Sequence, residues 1–537
     1  MARTGGRLVV DQLRAQGVRA AFCVPGESYL AVLDALRDVQ EVIRLVVCRQ
    51  EGGAAYAAEA YGKLTGRPGV CFVTRGPGAT NASIGVHAAA QSSSPMVLFV
   101  GQVPRAFRGR EAFQEIDYRA MYGSIAKWVV EIEQASRIPE LVARAFRVAV
   151  SGRPGPVVVS LPEDVLAETS EVPDAAVVAP VQPAPAPADV ARLRELLAAA
   201  RRPIVIAGGS GWEPCASDRL CSWAEASRLP VATAVRRQDL LDNRSPSFAG
   251  ALGLNAFPYL ADRIREADLV FLLGTRADSL STAGYTLLTA PRPHQILIHS
   301  HASPDVPGRV YEPDLAINAS SSLLVRALED AGPVDGGAWA DWTDAIRREF
   351  ASTQESGFGG AGGVELSVVL RHLCARLPDA VLASGAGNYT MPVHRYWRFD
   401  RYPSQAAPQA GSMGYGMPAA VAAKVAWPER PVVAVAGDGC FLMNGQELAT
   451  AVQHDLSVLV VIINNGMYGT IQAHQERTYP GRTYATALRN PDFADLARAY
   501  GAHGEVVERT EEFEPALERA LGSGGPALIE IRVPGQS

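Results

Sequence analysis

GDGCFLMNGQELATAVQHDLSVLVVIINN, at residues 437–465, is the stretch from which we predict the fold. Residues 431–436 before it (PVVAVA) form a short β-branched apolar run that ends at a glycine, which indicates a buried parallel strand. Residues 443–453 then show a helical pattern, and residues 457–463 (SVLVVII) indicate a second strand. The stretch therefore predicts a strand, a glycine turn, a helix and a further strand.

Polar side chains follow both of these predicted strands. Asp438 follows the first strand, and Asn464 and Asn465 follow the second. Ligands of open α/β sheets bind at the carboxyl ends of the strands, and Mg²⁺ prefers oxygen ligands completed by phosphate oxygens. A glycine turn beside a surface asparagine pair is the alternative interpretation, but this spacing between two strands favours a site for Mg²⁺.

A GDG triplet followed, after 24 residues, by an NN pair resembles the signature of thiamine-diphosphate-dependent enzymes. The residues around it narrow the resemblance to the acetolactate synthase-like branch. The resemblance implies that Asp438 and Asn465 bind Mg²⁺ together with the backbone carbonyl of Met467. The cofactor-binding residues that it implies are Gly76, Gly387, Asn388, Gly411, Met413, Gly437, Asp438, Gly439, Cys440 and Tyr468.

Length and composition are those of a multidomain globular protein. A chain of 537 residues predicts about three domains, and 48% hydrophobic with 20% charged residues can form large buried cores. The net charge of −6 argues against nucleic acid as a partner, and no apolar run approaches the ~20 residues of a membrane span. The N-terminal residues do not resemble a signal peptide, and the seven scattered cysteines predict the reduced thiols of a cytoplasmic protein.

Alternating strand and helix patterns divide the chain into three predicted domains, which we place at residues 1–168, 190–331 and 364–537. Residues 172–189 are rich in proline and alanine, which is typical of an extended linker, and residues 332–363 include a second connection. The predicted fold class is α/β, with three doubly wound domains built on mainly parallel sheets. The resemblance identifies them as pyrimidine-binding, central Rossmann-like and diphosphate-binding domains.

Glu51 lies where a predicted strand meets a predicted helix, in CRQEGGAAYAAEAYGKLTG at residues 48–66. Taken alone, it is an acidic residue in the first turn of a helix, where the helix dipole favours a carboxylate. The family's catalytic glutamate stands at the same junction, so the resemblance implies that Glu51 activates the cofactor. VTRGPGATN at residues 73–81 is similar to a neighbouring family segment, and its glycines permit a ligand to approach the backbone.

Two segments of the third predicted domain also resemble cofactor-binding segments of the family. They are ASGAGNYT at residues 383–390 and QAGSMGYGMPAAVAA at residues 409–423. In the second, the resemblance implies that the carbonyl of Gly411 accepts a hydrogen bond from the cofactor's 4′-amino group. It also implies that Met413 is a wedge beneath the bent cofactor, whereas a lone methionine elsewhere usually packs in a core.

Residues 101–128 (GQVPRAFRGREAFQEIDYRAMYGSIAKW) resemble an acetolactate synthase segment, with matches at Phe113, Gln114 and Lys127. His87 lies in the helix predicted after residues 73–81, where we expect a buried structural histidine, and a substrate-facing acid is the alternative. The candidate substrate-contacting residues are His87, Phe113, Gln114, Ile471 and His474.

Several residues expected around the substrate depart from the family. Gln50 stands where acetolactate synthases usually have histidine. Thr470, Ile471 and His474 replace residues that shape the pocket for a second 2-oxo acid, and Leu280 replaces an arginine that holds the carboxylate of that acid. These departures leave the identity of the substrate open.

The predicted central domain is the one that holds FAD in those family members that contain it. Residues 208–211 (GGSG) follow a predicted strand and are either a phosphate-binding turn or packing glycines. Arg276 and Asp278 match the family, but residues 301–303 (HAS) replace the acidic end of a later strand, and Leu280 replaces an arginine. We therefore predict that the protein does not bind FAD tightly.

The resemblance implies a thiamine-diphosphate-dependent carboligase or decarboxylase that acts on a small 2-oxo acid. A 2-hydroxyacyl lyase, which cleaves carbon–carbon bonds with the same cofactor, is the alternative. A non-catalytic homologue is a third interpretation, against which Glu51, Asp438 and Asn465 weigh. The family's active sites are shared between subunits, so the resemblance also implies a homodimer or a homotetramer of two such dimers.

Overall fold

Three parallel β-sheets, each of six strands, form the framework of the chain in a computed structural model that describes residues 2–253, 257–358 and 363–533. Helices connect successive strands and cover the sheets, which is the doubly wound α/β arrangement. The predicted fold class is therefore confirmed. Every helix within these ranges is too short or too polar to cross a lipid bilayer.

The first sheet belongs to the N-terminal domain. The strands of this domain are β1 (Arg3–Thr4), β2 (Ala20–Cys23), β3 (Arg44–Val47), β4 (Gly69–Val73), β5 (Met96–Gln102), β6 (Trp128–Glu131), β7 (Pro156–Pro162) and β8 (Thr169–Ser170). Its helices are α1 (Gly5–Ala15), α2 (Leu30–Arg37), α3 (Glu51–Thr65), α4 (Pro77–Ser92), α5 (Tyr118–Tyr122), α6 (Ile138–Val150) and α7 (Glu163–Ala167). The parallel order is β3–β2–β4–β5–β7–β6, and β1 pairs with β8 in a separate antiparallel ribbon.

The second sheet belongs to the central domain. Its strands are β9 (Pro203–Ala207), β10 (Val231–Thr233), β11 (Phe248–Ala251), β12 (Leu269–Leu273), β13 (Ile296–His301) and β14 (Leu315–Asn318). Its helices are α8 (Pro187–Ala199), α9 (Pro214–Ala226), α10 (Tyr259–Glu266), α11 (Ser321–Asp330) and α12 (Ala340–Glu355). The strand order is β11–β10–β9–β12–β13–β14.

The third sheet belongs to the C-terminal domain. Its strands are β15 (Val381–Ser384), β16 (Gln405–Ala406), β17 (Val432–Gly437), β18 (Leu459–Asn464), β19 (His503–Val507) and β20 (Ala527–Arg532). Its helices are α13 (Leu366–Arg376), α14 (Thr390–Tyr396), α15 (Gly416–Ala426), α16 (Asp438–Phe441), α17 (Glu447–Gln453), α18 (Gly469–Thr478), α19 (Phe493–Ala499) and α20 (Phe513–Gly522). The strand order is β16–β15–β17–β18–β20–β19.

Two stretches differ from the prediction. The helix predicted over residues 443–453 begins only at Glu447, because a short helix and a turn occupy residues 438–446. Part of the second predicted connection is helix α12, whose Trp342, Ile346 and Phe350 pack into the core of the central domain. The glycines of residues 332–363 thus led to the prediction of a connection where the chain forms an amphipathic helix.

Helices α3 and α15 join the N-terminal and C-terminal domains in one shared hydrophobic core. The buried stretches of both helices are rich in alanine, at residues 54–60 and 419–423. Small side chains allow two helix backbones to approach closely. The first residue of α3, Glu51, and the loop before α15 are consequently fixed relative to one another.

Candidate active site

Four loops meet at the carboxyl edge of the third sheet and form a cradle, which we define as residues 385–389, 411–414, 437–440 and 465–469. Three of these loops directly follow the parallel strands β15, β17 and β18. The predicted cofactor-binding residues within it are Gly387, Asn388, Gly411, Met413, Gly437, Asp438, Gly439, Cys440 and Tyr468. Folding therefore brings together segments that are far apart in the sequence.

Cys440 connects three of the cradle loops. Its sulfur accepts hydrogen bonds from the Tyr389 hydroxyl at 3.4 Å and from the Gly414 N–H at 3.3 Å. The thiol is buried, and a Cβ atom on Gly385 would lie only 2.4 Å from it. This packing fixes the loop after β15 against the loop after β17.

Two glycines are required where the cradle loops approach one another. A Cβ atom on Gly439 would lie 2.5 Å from Cε1 of Tyr468. A Cβ atom on Gly469 would lie 2.5 Å from Nδ2 of Asn388 and 2.9 Å from Nδ2 of Asn465. Because real Cβ atoms do not come this close, larger residues at these positions would separate the loops that carry the predicted ligands.

Asp438 is the first residue of α16, and its side chain is buried. Its Oδ2 accepts a hydrogen bond of 2.7 Å from Nδ2 of Asn490. Burial raises the pKa of the Asp438 carboxyl, whereas hydrogen bonds from Asn490 and from the Gly439 and Gly466 backbone lower it. A buried carboxylate of this kind is stabilised by a bound cation.

Asn465 and Met467 lie in the turn that follows β18. Oδ1 of Asn465 accepts from the Met467 N–H at 3.2 Å, and the Met467 carbonyl accepts from the Gly469 N–H at 2.9 Å. Each of these oxygens keeps a second lone pair. A carboxylate, an amide oxygen and a backbone carbonyl are hard ligands that fit Mg²⁺, provided that a ligand such as a diphosphate supplies further oxygens.

Asn490 is a member of this site that the sequence did not reveal. Its Nδ2 donates both to Asp438 and, at 2.9 Å, to Oδ1 of Asn464. Nδ2 of Asn464 donates at 2.7 Å to Oε1 of Glu530, a buried residue of β20 that Arg532 also contacts at 3.1 Å. The first asparagine of the pair thus belongs to a hydrogen-bond chain behind Asp438.

Met413 and Gly411 lie in the loop before α15. Gly411 has a positive φ of 66°, and its N–H donates to the Pro408 carbonyl at 3.0 Å. Met413 is half-buried and packs against the core of the C-terminal domain, as a structural methionine would. Its role as a wedge therefore stays a prediction.

Glu51 is the first residue of α3, where the helix dipole favours its carboxylate. Its Oε2 accepts from Nδ2 of Asn81 at 3.0 Å, and a Cβ atom on Gly78 would lie 3.5 Å from its Oε1. The helix is capped instead by Gln50, whose Oε1 accepts from the Gly53 N–H at 3.1 Å. Glu51 is thus not needed as a cap.

Glu447 fixes the chain just before Glu51. Its buried carboxylate accepts from the N–H groups of Arg49 and Gln50 at 3.1 Å and from the Thr450 hydroxyl at 2.5 Å. Burial raises the pKa of Glu447, and these hydrogen bonds oppose that rise. Since Glu447 is on α17, the C-terminal domain positions the start of α3.

The predicted segment around Phe113 and Gln114 lies next to Gly76. The Gly76 N–H donates to the Tyr118 hydroxyl at 3.1 Å, and a Cβ atom on Gly76 would lie 2.7 Å from that of Gln114. Gln114 has a positive φ of 68°, and Phe113 is 77% exposed. Phe113 is therefore free to contact another molecule.

Lys127 is bonded to backbone carbonyls, whereas His87 is exposed on the N-terminal domain, where its contact with substrate stays a prediction. The ammonium of Lys127 donates to the Val148, Ser151 and Arg153 carbonyls at 2.6–2.8 Å, so it caps the end of α6. His87 is exposed on α4, and the expectation of a buried histidine is wrong. The alanines of α4 supply its buried face, which leaves His87 on the opposite side.

Ile471 and His474 lie on α18, directly after the cradle. Every residue of this helix is at least partly exposed, and Ile471 is 52% exposed. Nδ1 of His474 contacts Nη2 of Arg477 at 2.5 Å. Both side chains are available at the rim of the cradle, and their contact with substrate stays a prediction.

Polar side chains at the carboxyl edge of the central sheet form hydrogen bonds within the central domain. His299 and His301 are buried at the end of β13, where His299 contacts the Thr275 carbonyl at 2.9 Å and His301 accepts from the Ser303 N–H at 2.9 Å. A Cβ atom on Gly209 would lie 1.9 Å from the Gly274 carbonyl. Backbone packing therefore accounts for that glycine.

Family models match all three domains. The model described as "Thiamine pyrophosphate enzyme, N-terminal TPP binding domain" matches residues 3–121. The corresponding models of the central domain and of the C-terminal TPP binding domain match residues 190–328 and 385–531. The matched ranges contain all three sheets in large part, together with Glu51 and the cradle.

Relatives of known name extend this similarity over nearly the whole chain. It is 34% identical to an acetolactate synthase large subunit of Parasynechococcus marenigrum, over 99% of this chain and 87% of the relative. It is 32% identical to the acetolactate synthase isozyme 2 large subunit of Escherichia coli, over 98% and 95% of the two chains. It is 31% identical to an acetolactate synthase of Arthrospira platensis, over 99% and 94%. The chain therefore belongs to the family of thiamine-diphosphate-dependent enzymes, in the branch that contains the acetolactate synthase large subunits.

Proposed function

We propose that this enzyme is an acetolactate synthase-like carboligase that acts on a small 2-oxo acid. It would release carbon dioxide from one 2-oxo acid and join the remaining fragment to the carbonyl carbon of a second molecule. Two molecules of pyruvate would give one acetolactate and one carbon dioxide. The observation that supports this proposal is the cradle itself, in which Asp438, Asn465 and Met467 offer oxygens beside the glycine loops.

Mg²⁺ would be held by Asp438, Asn465 and the Met467 carbonyl, and it would in turn hold the diphosphate of the cofactor. When bound, thiamine diphosphate supplies the carbon nucleophile and the electron sink that this reaction needs. Helix α18 begins within the cradle at Gly469, and helix N-termini favour a bound anion. The chain's own contribution here is to bind the cofactor and to orient it.

Glu51 would exchange a proton with the cofactor's pyrimidine ring. Asn81 keeps its carboxylate in place through the hydrogen bond to Oε2, and Glu447 holds the backbone before it. Gly411 would present its carbonyl to the cofactor's amino group, and Met413 would support the bent conformation. No protein nucleophile is required for this chemistry.

A homodimer with shared active sites accounts for the exposed side chains near Glu51 and near the cradle. Among the described residues, the hydrogen bond of Glu51 stays within its own domain. Ile84 beside Gly52 is 44% exposed, and Met443 beside Gly414 is 48% exposed. We propose that a second subunit covers these surfaces and completes each site, either in a dimer or in a tetramer of two dimers.

We further propose a reducing location such as the cytoplasm. All seven cysteines are free thiols, and Cys23, Cys48, Cys71 and Cys440 are buried. Burial raises the pKa of Cys48 and Cys71, so these thiols are poor nucleophiles. The four buried cysteines are thus packing residues that do not depend on oxidation.

The decisive experiment measures acetolactate formation from pyruvate by the purified protein with Mg²⁺ and thiamine diphosphate. We expect carbon dioxide release and acetolactate in equal amounts. The Glu51→Gln variant should still bind the cofactor but lose exchange of its C2 hydrogen, because an amide cannot act as an acid–base group. Exchange at the wild-type rate in this variant would disprove the role of Glu51.

Parallel assays separate the other interpretations. Cleavage of 2-hydroxyacyl substrates without acetolactate formation would indicate a lyase and contradict the proposed carboligase. Inertness toward both classes of substrate, with cofactor bound, would indicate a non-catalytic homologue. Sedimentation of the protein as a monomer at the concentration of the assay would contradict the shared site.

A further inference from the structure

The loop that carries Gly411 and Met413 is held by side chains of the same chain's N-terminal domain. We call residues 407–415 the wedge segment. We propose that the buried Glu59–Lys63–Tyr415 cluster is a clamp that positions this segment and thereby controls activation of the cofactor rather than its binding. The inference rests on the proposed function, since it assigns a task to residues that the reaction itself does not use.

Four polar side chains meet here, namely the three of the clamp and Ser94. The Tyr415 hydroxyl donates to the Glu59 carboxylate, and the Ser94 hydroxyl donates to the other carboxylate oxygen at 2.6 Å. The ammonium of Lys63 lies 3.1 Å from Oε1 of Glu59 and 3.3 Å from the Tyr415 hydroxyl. Glu59 and Tyr415 are both 0% exposed. Tyr415, which belongs to the C-terminal domain, is thus bound to two side chains of α3.

Lys63 also holds the other end of the wedge segment. Its ammonium donates to the Ala407 carbonyl at 2.6 Å. The Gln409 N–H donates to the Ser92 hydroxyl at 3.3 Å, which is a further bond to the N-terminal domain. The segment is therefore fixed on both sides of Gly411.

The backbone of the wedge residue Met413 is held as well. The Tyr56 hydroxyl donates to the Met413 carbonyl at 3.5 Å, and the Tyr56 ring packs edge-on against Tyr415 with 5.3 Å between centroids. Arg236 of the central domain donates to the Pro408 carbonyl, which also accepts from the Gly411 N–H. The position of Met413 thus depends on contacts that lie outside its own domain.

The charges of the clamp compensate one another inside the protein. Burial lowers the pKa of Lys63 to about 8, whereas the adjacent Glu59 carboxylate raises it. Burial and the Glu59 charge raise the pKa of Tyr415, so its hydroxyl remains a donor. A buried charge that has lost its partner destabilises the fold more than a buried ion pair whose hydrogen bonds are all made. Each member of the clamp is therefore needed by the others.

Helix α3 gives this clamp a direct connection to the chemistry. The helix begins at Glu51 and reaches Glu59 after about two turns. The same helix therefore begins at Glu51, which acts in one shared site of the proposed dimer, and holds the wedge segment, which acts in the other site. Loosening the clamp should move Met413 without changing any residue that binds Mg²⁺ or the diphosphate.

Tyr415→Phe tests the proposal, because it removes only the hydroxyl that bonds Glu59. The matched control is Tyr396→Phe, which removes a buried hydroxyl bonded to the Ser356 carbonyl at 2.7 Å elsewhere in the same domain. In Tyr415→Phe we expect cofactor affinity within about three-fold of wild type and C2-hydrogen exchange slowed about ten-fold, because small misplacements of groups near the reacting atom slow catalysis strongly. The control should leave the exchange rate unchanged.

Backbone amide hydrogen exchange of peptides from the wedge segment, measured on the protein without cofactor, tests the clamp independently of activity. We expect faster exchange at residues 409–414 in Tyr415→Phe and wild-type exchange in the control. Unchanged protection in Tyr415→Phe would overturn the clamp. Faster amide exchange with a wild-type C2 rate would overturn its control of activation. A wild-type enzyme that lacks C2 exchange would refute the proposed function, whereas the amide result would still decide whether the clamp exists.

Discussion

Asn490 determines how the Asp438 carboxylate is presented in the cradle. One amide group donates to Oδ2 of Asp438 and to Oδ1 of Asn464, so both acceptors are held at fixed distances of 2.7 and 2.9 Å. Hydrogen bonds from the Gly439 and Gly466 backbone also hold the Asp438 carboxylate. Residues that orient a metal ligand in this way often matter nearly as much as the ligand itself.

Asp438→Ala and Asn490→Ala should therefore both weaken binding of thiamine diphosphate, the first more than the second. We expect Asp438→Ala to abolish thiamine diphosphate binding at ordinary Mg²⁺ concentrations, because the metal loses the carboxylate proposed to bind it. Asn490→Ala should weaken Mg²⁺-dependent binding by about 10- to 100-fold. Calorimetric titration of the apoprotein measures both effects.

A surface aspartate provides the control for these variants. Asp379 is 54% exposed and pairs with Arg401 at 2.5 Å, away from the cradle. Asp379→Ala removes the same charge and should bind the cofactor as the wild type does. Equal affinities for Asp438→Ala and Asp379→Ala would refute the assignment of Asp438.

At the residue level, the candidate site residues predicted from the sequence are those that belong to short motifs. Asp438 and Asn465 follow strands at a recognisable spacing, and Glu51 begins a recognisable helix. Glu447 and Asn490 carry no such signal, because each reaches its partner only after the chain has folded. A glutamate inside a helix and an asparagine in a loop are too common to identify from sequence alone.

At the level of elements, central strands were easier to predict than edge strands. Strands such as β9 and β12 are continuous apolar runs, because parallel sheets bury both faces. The edge strand β16 has two residues and therefore no readable pattern. The helix predicted over residues 443–453 includes Met443, but this residue is exposed in the turn before α17.

The edge of the central sheet leads to a prediction about flavin. No acidic side chain stands in residues 301–303, and the Asp278 carboxylate already caps the Leu280 and Ser281 N–H groups at 3.0 Å. Dinucleotide sites usually place an acid on the ribose hydroxyls. We expect protein purified without added FAD to show no flavin absorption in the visible range.

Adding FAD and then removing the excess by gel filtration supplies the control for this spectrum. The protein should elute without flavin after this treatment. A yellow protein with one flavin per chain, either as purified or after reconstitution, would contradict the prediction. Such a result would also bring the enzyme closer to those acetolactate synthases that carry FAD.

At the level of the whole molecule, buried histidines tie stability to pH. Burial lowers the pKa of His301 and of His394 to about 3, with nearby positive charges such as Arg153 and Arg236 adding to the effect. A histidine in the unfolded chain has a pKa of about 6.5. Since the folded pKa is the lower one, stability is complete above pH 6.5 and is lost as the pH falls toward 3.

We therefore expect each of these histidines to cost about 1–2 kcal/mol of unfolding free energy between pH 7 and pH 5. Urea unfolding of wild type and of His394→Gln at both pH values measures this loss, which should be smaller in the variant. His294 is exposed, so His294→Gln should leave the pH dependence unchanged. A wild-type stability that does not change from pH 7 to pH 5 would contradict the prediction.

The short ribbon of β1 and β8 pairs Arg3 with Ser170 and Thr4 with Thr169, so the chain enters and leaves its first domain at the same place. A segment whose two ends lie side by side can be exchanged as a unit, because its replacement needs no change in the path of the flanking chain. The exposed, proline-rich residues after β8 form an extended linker at this point. Residues 3–170, with Glu51, can thus be exchanged between relatives as a cassette, provided that the residues of α15 and α17 that contact them are exchanged as well.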